Sequence, residues 1–172
     1  MEWTKSAGGP LICVESKLSD QWKGIDGLST MPDSSTTGIA TDYDRACKAK
    51  GYLSAIDMMK GAALILGDMP LETGVWKNVS NQLVIVRVFH IDANADVPSM
   101  LASIADDDRP LESINVSFGS RTLVIFDSAL PGSEAKAESI RFDIAPGKYR
   151  VTTQLAKLAR AELLLHRFYR DS

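Results

Sequence analysis

The chain has 172 residues, of which 45% are hydrophobic and 24% charged, values typical of one globular domain with a substantial core. No apolar run approaches the ~20 residues that a transmembrane helix needs. The first ten residues also lack the charged-then-apolar pattern of a secretory signal. The sequence therefore predicts a cytoplasmic protein with a single domain over residues 1–172. Its two cysteines, Cys13 and Cys47, are predicted to be free thiols that pack as small hydrophobic side chains.

The formal net charge of −3 is unevenly distributed along the chain. Residues 136–172 contain eight Lys or Arg and four acids, a net charge of +4, so the remainder carries −3 − 4 = −7. This split disfavours a broad nucleic-acid surface, because few cations outside the tail would extend the phosphate contacts. It allows an acidic surface that steers a basic partner, while for any single residue the favoured alternative is scattered charge on a solvated strand face.

The first half of the chain predicts short elements separated by turn residues: a strand over 11–15, a helix over 16–22, an exposed loop over 28–38, and strands over 52–57 and 62–66. Gly24 ends the predicted helix. The last two strands are predicted to form a hairpin that turns at Gly61.

The middle of the chain predicts a central strand followed by a helix. Residues 82–89, QLVIVRVF, are rich in β-branched side chains, which favour strands. Asp96 is placed to cap a helix whose first turn tolerates Pro98. Its apolar stripe is predicted at Met100, Leu101 and Ile104.

A second hairpin is predicted over residues 111–118 and 122–126, with its turn at 119–120. Residues 140–144 then alternate strictly between apolar and polar side chains, which is typical of a strand with one buried face. The sequence APGK at 145–148 predicts a type II turn, because Pro and Gly occupy its two central positions.

The last segment fits two structures. QLAKLARAELLL, residues 154–165, is rich in helix formers and its leucines recur at helical spacing. LLLHRFY, residues 163–169, also fits a final strand that returns beside residues 149–155. Periodicity alone favours the helix.

The stretch TDYDRACKAKGY concentrates two carboxylates, a phenol, a guanidinium and a thiol. A structural interpretation accounts for these side chains as a short helix. Thr41 is a good N-cap, and Asp44 completes a capping box three residues later. Asp42 and Arg45 stand at the (i, i+3) spacing of a helical ion pair. Two further side chains are predicted to face inward together: Tyr43 and Cys47.

A catalytic interpretation of the same stretch gives a small hydrolase or ligand-binding enzyme that uses Asp42, Asp44 and Arg45. Acid–base chemistry would be helped by a histidine, but His90 and His166 lie in no recognisable motif. The sequence also contains no Gly-rich phosphate loop, zinc pattern or nucleophile elbow. The structural interpretation is therefore favoured.

Several motifs occur in a fixed order: GGPLI at 8–12, WKGIDG at 22–27, TDYDRAC at 41–47, GYLSAI at 51–56, ALILGDMPLET at 63–73, Trp76, PGKYRV at 146–151 and LLLHRF at 163–168. This ordered set resembles a family of bacterial immunity proteins from polymorphic toxin systems, immunity protein family twenty-one, over most of the chain. None of these motifs is a reaction motif.

The resemblance implies a cytoplasmic antitoxin that binds and neutralises a cognate toxin domain of a contact-dependent competition system without catalysis. From the charge distribution and the absence of a membrane-spanning run or a metal or phosphate-binding motif, no cofactor, no metal and no nucleic-acid or membrane partner is expected. The resemblance also implies a mainly β fold, which favours a strand at the C-terminus. The predicted fold class is α+β, mainly β, with antiparallel sheets in a sandwich or partly open barrel and two or three short helices. A β-rich scaffold without a toxin partner is a further alternative.

The candidate contact residues combine acids with aromatic anchors, because nuclease toxins present cationic clefts and aromatic side chains dominate interface energies. For each tryptophan the alternative is packing in the core. The candidates are Trp22, Asp42, Tyr43, Asp44, Arg45, Trp76, Asp106, Asp107 and Asp108.

Overall fold

The structure is a computed structural model that describes residues 1–29, 41–67, 69–78, 80 and 82–171. Its strands are β1 (Trp3–Thr4), β2 (Leu11–Glu15), β3 (Leu53–Met58), β4 (Gly61–Leu66), β5 (Glu72–Lys77), β6 (Leu83–Ile91), β7 (Glu112–Phe118), β8 (Thr122–Asp127), β9 (Ile140–Asp143), β10 (Gly147–Leu158) and β11 (Ala161–Arg170). Its helices are α1 (Asp42–Cys47), α2 (Val97–Ser103) and two 3₁₀ helices, Ser16–Gln21 and Ala135–Glu138. Most of the loop predicted over 28–38 lies outside the described residues.

The strands form two antiparallel sheets. One has six strands in the order β1-β5-β6-β11-β10-β7, and the other has five in the order β3-β4-β2-β8-β9. Side chains from both sheets meet in one buried cluster, so the sheets pack face to face as a sandwich. The predicted α+β, mainly β class is therefore confirmed, and of the two predicted architectures the sandwich is the one observed.

The core between the sheets comes from the inward-facing positions of nearly every strand. Leu11 and Cys13 of β2 face Ile85 of β6 and Val151 of β10 across the interior, and all four are fully buried. Alternate residues point to opposite faces of a strand, so the neighbours of these residues point outward. Many of those neighbours are apolar too, which means that the outer faces must also be covered.

Each outer face is covered by a different helical segment. On the six-stranded sheet, Leu101 of α2 packs over Val84 and Val86 of β6. On the five-stranded sheet, Ala46 of α1 and Trp22 belong to the cluster that covers the outward side chains of β2, β4 and β8. A strand that is buried on both faces has apolar side chains at consecutive positions, which explains the runs LVIV in β6 and LVIF in β8.

The elements with strong local signals are confirmed. The strand predicted over 11–15 is β2, and the predicted hairpin is formed by β3 and β4 with Met58 paired to Gly61. The strand predicted over 82–89 is β6, an interior strand that pairs with β5 and β11. Asp96 caps α2 as predicted, since its side chain accepts a hydrogen bond from the Ser99 backbone N–H.

The hairpin predicted over 111–118 and 122–126 is wrong. β7 pairs with β10 in the six-stranded sheet, whereas β8 pairs with β2 and β9 in the five-stranded sheet. The residues between them carry the chain across the sandwich, and the Gly119 N–H donates to the buried side chain of Glu15 at 2.9 Å. A crossing between sheets and a hairpin turn both place Gly and Ser between alternating strands, so local sequence does not separate them.

The type II turn predicted at 145–148 is also wrong. Gly147 has a φ of 155°, not the value near +80° that the turn requires, and it already begins β10. β9 and β10 belong to different sheets, so residues 144–146 form a second crossing. This crossing is held by the Tyr149 hydroxyl, which donates to the Ala145 carbonyl at 2.5 Å. The alternation predicted over 140–144 is confirmed.

The ambiguous C-terminal segment forms strands. β10 and β11 pair antiparallel along their length, from Tyr149 with Arg170 to Leu158 with Ala161. β11 lies between β6 and β10 and is buried on both faces over most of its length. Burial on both faces is satisfied by consecutive leucines, and here tertiary context overrides helix propensity.

Candidate functional site

The capping box predicted at the start of α1 is present. The Thr41 hydroxyl accepts from the Asp44 backbone N–H at 3.0 Å, and the Asp44 carboxylate accepts from the Thr41 backbone N–H at 2.9 Å. The Thr41 backbone N–H and hydroxyl both donate to the Asp44 carboxylate and lower the pKa of Asp44 below its usual range, and the nearby charge of Lys48 adds to the effect. Asp44 thus has a structural role, although its side chain remains exposed.

Asp42 is a buried structural centre. Its carboxylate accepts from the Lys23 backbone N–H at 2.8 Å, from the Ser29 hydroxyl at 2.5 Å and from Arg45 Nη1 at 3.4 Å. Arg45 in turn donates from Nη2 to the Asp57 carbonyl of β3 at 2.8 Å. The predicted (i, i+3) ion pair is confirmed, and it joins α1 to the segment before it and to the sheet beneath it.

The aromatic and thiol side chains of this region divide between interior and surface. Trp22 is fully buried and donates from Nε1 to the Ser128 carbonyl at 2.8 Å, which matches the core alternative. Tyr43 is half-buried, and its ring occupies the space where Gly9 has no side chain. Cys47 is exposed, so the prediction that it packs inward with Tyr43 is wrong, whereas Cys13 is buried as predicted. The helix turns Asp42, Arg45 and Ala46 inward instead.

The α1 stretch therefore offers only two of its candidates to a partner. Asp42, Arg45 and the neighbouring Trp22 lie inside the protein, while Asp44 is exposed and Tyr43 is half-exposed. The hydrogen bonds of Asp42 and Arg45 hold α1 against the five-stranded sheet. These structural roles explain the composition of the stretch without a catalytic role.

The other acidic candidates lie at the end of α2, over the six-stranded sheet. Asp106, Asp107 and Asp108 are exposed, and Asp106 pairs with Arg167 of β11 at 3.2 Å. Arg167 is almost fully buried and also donates from Nη2 to the Ile104 carbonyl at 3.1 Å. The ion pair therefore fixes the start of the acidic run against the sheet.

Sequence reasoning missed Arg167 as the anchor of this run. Its outward orientation could have been found from the period of two that it shares with Leu163 and Leu165. Its pairing with Asp106 could not, because the two residues are far apart in the chain and only the sheet topology brings them together.

Trp76 lies on the same outer face as the acidic run. It packs with the cluster under α2, and the strand register places Trp76 opposite Val84 and Val84 opposite Arg167. Two strand spacings separate Trp76 from Arg167, which is about 10 Å. The structure thus brings together Trp76 and residues 106–108, and it places α1 on the opposite side of the sandwich.

The two histidines lie apart from the α1 stretch. His166 is fully buried between the sheets and His90 is exposed, 3.4 Å from Asp92 on the six-stranded sheet. The described residues hold no cluster of three or more His, Cys, Asp or Glu placed to bind a metal ion. Within the same residues, no helix has the length and apolarity to cross a membrane.

The fold and these surfaces define a class: a two-sheet antiparallel sandwich with a helical segment on each outer face and acidic and aromatic side chains at the surface. The chain belongs to the family described as Immunity protein 21, which it matches over residues 2–161. The family resemblance predicted from the ordered motifs is thereby confirmed. Comparisons with curated proteins and with solved structures found no significant match.

Proposed function

We propose that the protein is an antitoxin that binds and neutralises a cognate toxin of a bacterial polymorphic toxin system in the cytoplasm, without catalysis. Membership of an immunity-protein family over most of the chain carries this proposal. The bonding of the α1 stretch supports it, because Asp42, Asp44 and Arg45 are engaged in capping and clamping α1. Neutralisation then depends on covering the toxin surface.

We place the toxin contact on the outer face of the six-stranded sheet. Asp107 and Asp108 are exposed beside the Asp106–Arg167 pair, which anchors the run at one end. Asp92 and Asp96 add negative charge near the start of α2, although Arg160 pairs with Asp92 at 3.0 Å. An acidic surface of this kind accelerates encounter with a basic partner and suppresses binding to acidic ones.

Aromatic anchors on the same face supply apolar contact area. The Trp3 ring lies over Gly74 of β5, where a Cβ atom would come within 2.9 Å of it. Gly74 and Trp76 are two residues apart on one strand and therefore share a face. Trp3 is 39% exposed and Met1 beside it 46% exposed. Tryptophan is among the side chains most enriched in interface hot spots.

The test compares two double substitutions that remove the same charge from opposite faces. Asp107→Asn with Asp108→Asn removes two acids from the proposed contact face, and Asp20→Asn with Asp26→Asn removes two exposed acids near the 3₁₀ helix on the other sheet. The partner is the toxin encoded beside the gene. Association is measured by stopped-flow at low and high salt, and protection is measured as growth during toxin expression.

We expect the first pair to slow association roughly 3- to 10-fold at low salt, with a smaller effect at high salt because added ions screen exposed charge. The second pair should leave the rate nearly unchanged. Equal slowing by both pairs would show that the contact face is wrongly placed. Absence of any complex with the neighbouring toxin would contradict the antitoxin proposal itself.

A further inference from the structure

A cleft of about 890 Å³ opens at one end of the sandwich, where β5 turns into β6 and the chain crosses from β9 to β10. Its apolar lining comes from side chains at the edge of the core: Leu83, Ile144, Tyr149 and Phe168. The volume is in the range of clefts that hold small organic ligands, and such clefts combine an apolar wall with a few convergent polar groups.

Three cations line the same cleft: Lys77, Arg121 and Arg170. Lys77 Nζ donates to the Asp143 backbone carbonyl at 2.6 Å, and Arg170 Nη2 donates to the Pro146 carbonyl at 2.8 Å. Both carbonyls are uncharged, so these bonds fix the two cationic groups in place without neutralising them. Lys77 and Arg170 are therefore held in place before any ligand arrives, which reduces the cost of ordering them around an anion.

The local charge is positive in a protein whose net charge is negative. Asp143 is the one acid that lines the cleft within the described residues, and its carboxylate accepts from the Thr122 hydroxyl at 3.0 Å. No carboxylate of the described residues lies within ion-pair distance of Lys77, Arg121 or Arg170. Three cations and one acid give the described lining of the cleft a net charge of +2, whereas the whole chain carries −3.

Gly147 gives Arg170 the room to take this position. A Cβ atom at Gly147 would lie 2.9 Å from Arg170 Nε, and the two residues stand near one end of the β10–β11 pairing. The small residue therefore lets the guanidinium fold over the strand toward the Pro146 carbonyl.

We propose that this cleft binds a carboxylate attached to an apolar body, with the carboxylate at Arg121 and Arg170 and the apolar body against Leu83 and Phe168. A guanidinium donates two parallel hydrogen bonds to a carboxylate, and the apolar wall gains by excluding water from the ligand's body. The chemistry is the same for a free organic acid and for an acidic side chain beside an aromatic one on a bound protein. The site does not depend on the antitoxin function.

The direct test follows the backbone amide signals of the ¹⁵N-labelled full chain by NMR during titration. The probes are 3-phenylpropionate, its uncharged amide 3-phenylpropionamide, inorganic phosphate, and the capped dipeptide acetyl-Glu-Phe-amide. We expect 3-phenylpropionate to shift the amides of Leu83, Gly147 and Arg170 with a roughly millimolar Kd, which is reasonable for a ligand of its size. The amide and phosphate should bind at least fivefold more weakly, because each lacks one half of the recognised chemistry.

Matched arginine variants locate the site. Arg121→Gln and Arg170→Gln should each weaken 3-phenylpropionate binding at least fivefold, whereas Arg109→Gln removes an exposed arginine outside the cleft and should leave Kd unchanged. A melting curve for each variant separates lost binding from lost folding. Substitution of Arg121 should disturb folding less than substitution of Arg170, because Arg121 makes no hydrogen bond to a side chain in the described part of the chain.

Equal binding of the acid and its amide, or equal weakening by Arg109→Gln, would overturn the proposal, as would the absence of any shift at the cleft. The capped dipeptide distinguishes the two sources of the ligand. Tighter binding of the dipeptide than of the free acid assigns the site to a protein side chain, and the reverse order assigns it to a small molecule. Both orders support the recognised chemistry.

Discussion

His166 is a fully buried imidazole in the interior between the two sheets. Its Nδ1 lies 3.0 Å from the Thr153 hydroxyl. Burial, together with the positive charge of Arg87, lowers the pKa of His166 to about 3. Arg87 is also fully buried, donates from Nη2 to the carbonyls of Gly67 and Met69, and has its own pKa lowered by burial to about 10. The interior therefore holds the cation of Arg87 and a histidine that stays neutral above about pH 3.

This neutral histidine predicts a loss of stability in mild acid. In the unfolded chain a histidine has a pKa near 6.5, so it takes up a proton as the pH falls below that value while folded His166 does not. The unfolded state then binds more protons, and the free energy of unfolding decreases as the pH falls from about 6.5 toward 3. Between pH 7 and pH 5 the expected loss from His166 is about 2 kcal/mol.

Urea unfolding at pH 7, 6 and 5 measures this contribution as the slope of the free energy of unfolding against pH. The variant His166→Gln should have a smaller slope than the unsubstituted protein, whatever its stability at pH 7. His90→Gln, at an exposed position, is the matched control and should keep the steeper slope. A slope unchanged in His166→Gln would show that His166 has the same pKa in the folded and unfolded states.

At the scale of the element, the capping box of α1 predicts a modest and local effect. Thr41→Ala removes the hydroxyl that accepts from the Asp44 N–H and should lower the free energy of unfolding by about 1 kcal/mol. Thr41→Ser keeps an acceptor and should cost much less. Both are measured by urea unfolding at pH 7.

Toxin binding provides the second readout for Thr41→Ala. Binding should be unchanged, because the proposed contact lies on the other outer face. A large loss of affinity with unchanged stability would assign α1 to the interface instead.

Elements with local signals could be predicted from the sequence, but the sheet partners of strands that are far apart in the chain could not. The Asp96 cap and the β3–β4 hairpin depend on residues a few positions apart, and both are confirmed. The sequence predicts turns near Gly119 and Gly147, where the structure has crossings between the sheets. The choice between a hairpin and a crossing depends on strand partners elsewhere in the chain. The same limit applies to the C-terminal leucines, whose strand structure follows from the position of β11 between two others.

The candidate site shows the same division. The Thr41–Asp44 box and the Asp42–Arg45 pair follow from helical spacing and are confirmed. Burial of Asp42 depends on the Lys23 N–H, which reaches it only through the tertiary fold. The grouping of Trp76 with the acidic run likewise requires the register of three strands.

At the scale of the whole molecule, many strand pairs join parts of the chain that are far apart in the sequence. β2 pairs with β8, so Leu11 stands opposite Asp127, and β1 pairs with β5. Such non-local pairing predicts slow folding, in the millisecond-to-second range typical of all-β sandwiches. It also predicts that the two sheets unfold together, because they share one core.

Removal of β11 should therefore abolish folding altogether. Without residues 161–172, β6 loses a partner and β10 loses the partner along which it makes its longest pairing. We expect this truncation to show no cooperative unfolding transition by circular dichroism. Removal of residues 1–4, which deletes the two-residue edge strand β1, is the control and should retain a transition at lower temperature. A cooperative transition in the longer truncation would contradict the central role of β11.

The position of β11 has a consequence for how a cell obtains the protein. During translation β1, β5 and β6 are made before the strand that connects them to β7 and β10, so the six-stranded sheet exists as two separate parts until β11 leaves the ribosome. A nascent chain stalled before residue 161 would then lack a complete six-stranded sheet. Under the proposed function, a nonsense codon shortly before β11 would leave its host as vulnerable as deletion of the gene.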